Sequence, residues 1–373
     1  MPDNSRIYDL VVIGAGPAGA SAAISAAQTG ARVLLLERGR FPRHKVCGEF
    51  VSAESLGLLS NSLAPEHKRS LDDAIRIPRT RIFLDGRTVQ ASIDPPAASF
   101  ARFDLDIALW QSAEKLGVDA RSQVTVNKLD QRTDGMFVVN TSAGEFEAKA
   151  LVNATGRWSN LTAKPPDNDG TGVKWLGVKG HFSEPSPANS VDLYFFEGGY
   201  CGVQPVDLAN PATRGARVNA CAMIRADVAS SLAEVFAKHP ALRERSQDWK
   251  SLSDPVSTSP LIFRNPQPVR DGVLMAGDAA AFVDPFVGDG ISLALRSGGL
   301  AAECLVPYFQ GSNSLQQTAQ IYLQKYIQKF KPIFSTSSRI RQMLTLPKHL
   351  RAPLLFMLER NPALTRYLVK KTR

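Results

Sequence analysis

A chain of 373 residues exceeds what one hydrophobic core usually serves, so two interlocked domains are expected. With 44% hydrophobic and 21% charged residues it reads as a globular protein rather than a disordered one, and no run of about eighteen apolar residues marks a transmembrane helix. The net charge of +9 sits at one end: residues 331–373 hold ten Lys or Arg against Glu359, the remainder balances 34 basic with 34 acidic residues, and no nucleic-acid-binding motif accompanies the surplus. The first apolar stretch, Leu10–Ile13, is too short for a signal peptide. Cys47, Cys201, Cys221 and Cys304 are scattered without a close pair, so a reducing, cytoplasmic setting is expected, with no metal site and no disulfide framework.

In chain order, the strand Leu10–Ile13 runs into the loop Gly14-Ala15-Gly16-Pro17-Ala18-Gly19 and a helix of small residues. Gly14 permits the tight turn, Gly16 lets the backbone approach a pyrophosphate, and Gly19 lets the helix lie close on its strand. The helix start at Pro17 aims free N–H groups and a positive dipole end at the phosphates. A second strand, Arg32–Leu36, ends at Glu37, eighteen residues past Gly19, with Arg38 beside it. There a carboxylate accepts hydrogen bonds from both hydroxyls of an adenosine ribose. These elements in register mark a dinucleotide site.

Residues 76–92 alternate as strands around an Asp85-Gly86 turn and enter a second domain. Phe103–Leu116 has apolar residues at helical spacing, with Arg102 at its start. Val124, Val126 and Leu129, then Phe137–Val139, suggest a small meander, and Lys149–Asn153 leads as a buried strand into Ala154-Thr155-Gly156-Arg157. Strands recur from about residue 172 to 225, helices are expected over 231–238 and 242–252, and Gly272–Asp278 is a strand ending on glycine. After it, Asp284-Pro285-Phe286-Val287-Gly288-Asp289-Gly290-Ile291 forms a second glycine loop opening a long helix. Asp278 is then placed for ribityl hydroxyls, and N–H groups around Gly290 and Ile291 for N1 and the C2 carbonyl of a flavin.

Together these motifs resemble the glutathione-reductase-type FAD enzymes with a p-hydroxybenzoate-hydroxylase-like fold, which include aromatic monooxygenases, flavin halogenases and geranylgeranyl reductases. Gly14–Gly19 is similar to the first FAD loop and Gly277-Asp278 to the Gly-Asp motif. Ala154-Thr155-Gly156-Arg157 stands where many relatives carry Asp-Gly, and Thr155 in place of the acid speaks against nicotinamide use in the hydroxylase manner. The geranylgeranyl reductases resemble the chain most. Arg43-His44-Lys45-Val46-Cys47-Gly48-Glu49 is similar to their Cys-Gly segment beside the flavin. Tyr200-Cys201-Gly202-Val203-Gln204-Pro205 is a variant of their aromatic-x-Trp-x-Phe-Pro motif, with Gly202 and Gln204 at the Trp and Phe positions. The halogenase Trp-x-Trp-x-Ile-Pro pattern is absent.

The resemblance implies an α/β fold: an FAD-binding three-layer (Rossmann-like) domain from 1–75, 98–160 and 262–310, an inserted mixed or antiparallel-sheet substrate domain from 76–97 and 161–261, and a basic helical C-terminal extension, 311–373. Candidate cofactor contacts are Gly14, Ala15, Gly16, Pro17, Ala18, Gly19, Glu37, Arg38, Arg43, Lys45, Cys47, Gly48, Arg102, Val124, Gly277, Asp278, Pro285, Gly288, Asp289, Gly290 and Ile291. Arg43 and Lys45 either neutralise the pyrophosphate or are surface charges; Arg102 either reaches FAD or makes a helix-end salt bridge. Cys47 presents a thiol or thiolate to the flavin, tuned by His44 and Lys45, or is a small hydrophobe. Tyr200 and Gln204 line the pocket and orient substrate, or are satisfied strand residues. The five histidines show no metal spacing and read as structural or exposed rather than catalytic.

The expected activity is that of an FAD-dependent oxidoreductase on a lipophilic small molecule, reducing a carbon–carbon double bond by hydride from flavin N5. The alternatives are hydroxylation of an aromatic or polyketide-like substrate, and a noncatalytic flavin-bearing protein at the membrane. No second Gly-x-Gly-x-x-Gly offers a standing nicotinamide site, so the donor stays open among transient NADPH, ferredoxin and a separate flavin reductase. In the tail, Leu350, Leu354, Met357 and Leu358, then Leu364, Tyr367 and Leu368, with Arg366, Lys370, Lys371 and Arg373, can form an amphipathic surface. It either touches an anionic membrane, each basic residue adding about 1 kcal/mol, or packs as a lid.

Overall fold

The computed structural model describes residues 7–157, 161, 174–206, 216–263, 265–344, 346–361, 363 and 365–367. The apolar run at the start becomes β1 (Ile7–Ile13), buried from Leu10 to Ile13 because strands flank it on both sides. β2 (Val33–Glu37) and β9 (Gly144–Asn153) pair with it in parallel. The first sheet runs β15 (Val269–Arg270), β16 (Val273–Met275), β9, β1, β2, β6 (Asp119–Ser122), with β7 (Val126–Gln131) and β8 (Phe137–Thr141) continuing as a meander off β9. Parallel strands covered by helices read as unbroken hydrophobic runs, which is how Leu10–Ile13 and Val33–Leu36 look in the sequence.

α1 (Pro17–Ala27) packs on α4 (Arg102–Lys115) and α7 (Gly290–Phe309). The α1–α7 approach requires glycine: a Cβ on Gly298 would stand 2.0 Å from the Ala18 carbonyl oxygen. Ser21 Oγ donates to the Leu295 carbonyl at 2.8 Å across the same contact.

The second sheet runs β14 (Val256–Thr258), β10 (Trp175–Ser183), β13 (Arg217–Arg225), β12 (Gly199–Pro205), β11 (Val191–Phe196), β4 (Arg76–Leu84), β5 (Arg87–Ser99), β3 (Phe50–Val51). Alternation sorts its side chains. Val178, Phe182, Cys201, Val203, Val218, Ala220 and Ala222 face away from the first domain, into a core closed by Leu232 and Val235 of α5 (Leu232–Ala237) and Leu242 of α6 (Pro240–Arg245). The intervening residues face the first domain. β3, within the 1–75 stretch given to the FAD domain from sequence, pairs with β5 and belongs to this sheet.

The β4–β5 hairpin turns at Asp85-Gly86 as expected. The helix expected over 242–252 is shorter: α6 ends at Arg245, whose guanidinium turns inward to Asp192 and Glu184, and Trp249 leaves the helix to pack on Phe182. α2 (Ala53–Ser62) and α3 (Pro65–Asp72) follow β3. α8 (Leu315–Leu344) packs on α7, with the Tyr322 hydroxyl donating to the Met275 carbonyl at 2.8 Å, and α9 (Lys348–Arg360) reaches the β4–β5 hairpin. Leu364, Leu368, Lys370, Lys371 and Arg373 lie outside the described residues. No helix among the described residues is long and apolar enough to cross a membrane.

Candidate active site

A cavity of about 630 Å³ opens where the strands of the first sheet end, between the two sheets. Open α/β sheets bind ligands at the carboxyl ends of their strands. In strand order these ends bring Glu37 (β2), Gly14 (β1), Ala154 to Arg157 (β9) and Gly277-Asp278 (β16) to one wall. Gly14, at φ +95°, turns the chain there, and a Cβ on Gly19 would stand 1.7 Å from the Gly14 carbonyl oxygen, so both positions are closed to larger residues. Neither α1, behind Gly16, nor α7, behind Asp289, has a side-chain cap at its N-terminus, and both helix starts open on the cavity. Their amide N–H groups are therefore available to an anion or an electron-rich ring edge.

The charges on this wall are arranged in pairs. Burial alone would raise the Glu37 carboxyl, but Arg43 and the N–H groups of Gly39 and Ala15 hold it at about 2. Arg43 contacts Glu37 through two nitrogens, at 2.5 and 2.9 Å, and Arg102 clasps Asp106 at 2.6 and 2.8 Å while lining the cavity beside Gly16. Arg38, Arg43, Lys45, Arg102 and Arg157 face the cavity against the carboxylates of Glu37 and Asp278. The balance suits a bound polyanion. Burial raises the Asp278 carboxyl against the pull of Arg157 and Arg102.

The opposite wall is the cavity side of the second sheet, which forms three rungs across its strands. The first holds Gly177, Met223, Tyr200 and Phe195; the second Lys179, Cys221, Gly202 and Leu193; the third His181, Asn219 and Gln204. Glu49, buried at a left-handed φ of +59°, meets the polar positions. Its carboxylate accepts from the Lys179 ammonium and the Arg102 backbone N–H (2.8 Å) and pairs with His181 Nε2 at 2.8 Å. Burial pushes Glu49 up, but Lys179 and His181 outweigh it and hold the group ionised well below its usual range. Asn219 donates to the Cys47 carbonyl at 3.0 Å, so this cluster ties the Cys47–Glu49 segment to the sheet.

The first rung is apolar and aromatic. Tyr200, Met223 and Leu261 cluster with Trp175, Phe263, Phe282 and Phe286. Burial, reinforced by the charge of Asp284, raises the Tyr200 hydroxyl well above its ordinary value, so it keeps its proton. Asp284 is 3% exposed, Arg341 lies 3.7 Å from it, and burial lifts its carboxyl to about 7.

Of the residues chosen from sequence, Gly14, Gly16, Pro17, Ala18, Glu37, Arg38, Arg43, Lys45, Cys47, Gly48, Arg102, Val124, Tyr200, Gly277, Asp278, Pro285, Gly288, Gly290 and Ile291 line the cavity. Ala15 and Gly19 shape the loop behind it, and Asp289 is buried at the start of α7, 4.0 Å from Arg296. Gln204 requires a correction. It shares the face of Tyr200 but lies two rungs away, outside the cavity lining, with its amide donating to Ser99 Oγ at 2.9 Å. A thiolate at Cys47 is also corrected, because burial raises the thiol and outweighs Arg102 and the Glu49 N–H. Sequence reasoning missed Glu49, Lys179, His181 and Asp284. The available signal was Lys179 and His181 alternating with Val178, Gly180 and Phe182 in one strand, charge on a face that alternation should bury.

The set fits FAD: a glycine loop closed to larger residues at Gly14 and Gly19, two uncapped helix starts, surplus cations, and an ionised Glu37 that shares the cavity lining with a neutral aromatic surface. Comparison with known proteins agrees. The chain is 27% identical to a menaquinone reductase of Mycobacterium tuberculosis, over 92% of this chain and 85% of the relative, and 24% identical to a digeranylgeranylglycerophospholipid reductase of Methanocaldococcus jannaschii, over 92% and 88%. Its fold matches a geranylgeranyl bacteriochlorophyll reductase-like protein from Thermoplasma acidophilum (TM-score 0.75, 18% identity, 98% and 96% covered) and a flavin-dependent brominase (TM-score 0.79, 20% identity, 98% and 93% covered). The model of the FAD binding domain matches residues 8–320, and the chain belongs to that family as an FAD-dependent oxidoreductase.

Proposed function

We propose that the protein reduces a carbon–carbon double bond in a lipophilic, isoprenoid-like molecule. The observation that carries this reading is the apolar surface at the first rung: Tyr200 and Met223, with Leu261 beside them, line the cavity with side chains that carry no charge. Relatives named for reducing menaquinone and digeranylgeranylglycerophospholipid support it. When bound, and reduced beforehand by a two-electron donor, FAD would supply a hydride to one alkene carbon. The other carbon takes a proton, so the product gains two hydrogens. Tyr200 is the proposed catalytic residue, since it lines the cavity and its hydroxyl stays protonated. Asp284, whose charge is felt at Tyr200 and which holds a proton up to about pH 7, is the proposed reserve behind it. The apolar wall excludes water, and Glu37 with the glycine loop fixes the far end of the cofactor.

The test is anaerobic. Reduced holoenzyme mixed with a geranylgeranyl lipid or menaquinone should regain the oxidised flavin spectrum at a substrate-dependent rate and yield a product heavier by two hydrogens. Turnover that requires oxygen and adds an oxygen atom would replace this reading with hydroxylation. Flavin that accepts no electrons from any donor would indicate a noncatalytic role.

A further inference from the structure

α9 docks by one side only. Leu355 and Leu358 are buried against Leu84 and Val89 of the β4–β5 hairpin, and Arg351 grips Asp85 at its tip at 2.6 and 2.7 Å. The other side is apolar yet open. Leu350, Phe356 and Met357 are 57%, 42% and 45% exposed, and Leu346, just ahead of the helix, is 40% exposed. Within the helix Leu350, Pro353 and Met357 follow at spacings of three and four residues, which places them on one stripe that Leu346 precedes. Exposed hydrophobes scattered singly need no explanation; a continuous stripe rimmed by charge marks an interaction face.

The rim identifies what lies opposite. Arg360 is exposed beside the stripe, 4.3 Å from the Phe356 ring, Arg366 is exposed past the end of the helix, and Glu359, the one acid among residues 331–373, is drawn away to Arg87. A partner that complements both features has an anionic surface over an apolar interior, as a bilayer with anionic headgroups does. The docked side has an inward continuation. Phe195 packs against the cluster under α9 and against the cluster of Tyr200, Met223 and Leu261, so apolar side chains run from beneath α9 to the cavity.

We propose that α9 seats the protein on an anionic lipid bilayer, with the Leu350–Met357 stripe at the boundary between headgroups and acyl chains. Docking there places the aromatic rung next to the phase in which a lipophilic substrate dissolves; this consequence rests on the proposed reaction, whereas the docking itself does not.

FAD-loaded full-length protein is to be sedimented with phosphatidylcholine vesicles and with vesicles of phosphatidylcholine and phosphatidylglycerol in equal parts. The protein should pellet at least about tenfold more with the anionic vesicles and be released by high salt. The double variant Leu350→Glu, Met357→Glu should lose at least about tenfold of that binding while keeping its flavin content and melting temperature. Equal pelleting of parent and variant, or of the two vesicle types, overturns the proposal. A sizing column that shows a dimeric parent and a monomeric variant overturns it in favour of self-association. Because pelleting is read without turnover, failure of the reductase reading leaves this result intact. A variant that no longer pellets yet reduces detergent-dispersed substrate at the parental rate supports docking separately from chemistry.

Discussion

On strands β10, β12 and β13, Trp175, Tyr200 and Met223 join an aromatic cluster, while four residues further along or back, Lys179, Gln204 and Asn219 join or border a buried polar one. Both sets point to the same side of the same sheet, so backbone geometry does not separate them. What separates them is the opposing surface. The polar positions meet the Cys47–Glu49 segment, whose ionised carboxylate needs partners once water is gone, and the aromatic positions meet a cavity that needs a dry wall. One face of one sheet thus both fastens the domains together and shapes a site.

If this division is right, the largest effect on folding belongs to the polar end. Glu49→Ala leaves Lys179 and His181 buried without their carboxylate and should cost about 3–5 kcal/mol in urea unfolding. Tyr200→Phe should cost less than about 1 kcal/mol and lower alkene reduction roughly 100-fold or more. Equal stability losses at the two ends would break the comparison.

Asp284, at the aromatic end, sharpens it through pH. The folded protein holds its proton up to about 7, whereas aspartate ordinarily releases it at 3.8. The folded state therefore binds more protons between those values, and stability should fall as pH rises through that window, by roughly 2–4 kcal/mol. Thermal melts of Asp284→Asn should lack that slope.

Glu37→Gln probes the first-domain wall, where the carboxylate is expected to act on the cofactor. FAD affinity in a fluorescence titration should weaken by about 1.5–3 kcal/mol, roughly 10- to 150-fold. The smallest combined effect on stability and rate is expected at Gln204→Ala, about 1 kcal/mol of stability with the alkene-reduction rate unchanged, since the amide serves Ser99 and not the cavity.

The first-domain wall was legible because each part is local: Gly14 to Gly19 and Gly277 to Ile291 are contiguous stretches whose residue types are dictated by backbone approach and helix starts. The second-domain wall was not. Glu49 meets Lys179 and His181 across 130 and 132 residues, and only strand register decides that Tyr200 reaches the cavity while Gln204, on the same face, does not. Alternation in a strand tells which side a residue takes; it does not tell which rung meets which opposing loop.

The most direct measurement is a crystal structure of the FAD-loaded protein. The adenosine ribose is predicted against Glu37, and the flavin ring between Cys47–Gly48 and the rung of Gly177, Met223 and Tyr200. An adenosine bound away from Glu37, or a flavin ring out of contact with that rung, would contradict the division of the sheet on which the proposed chemistry depends.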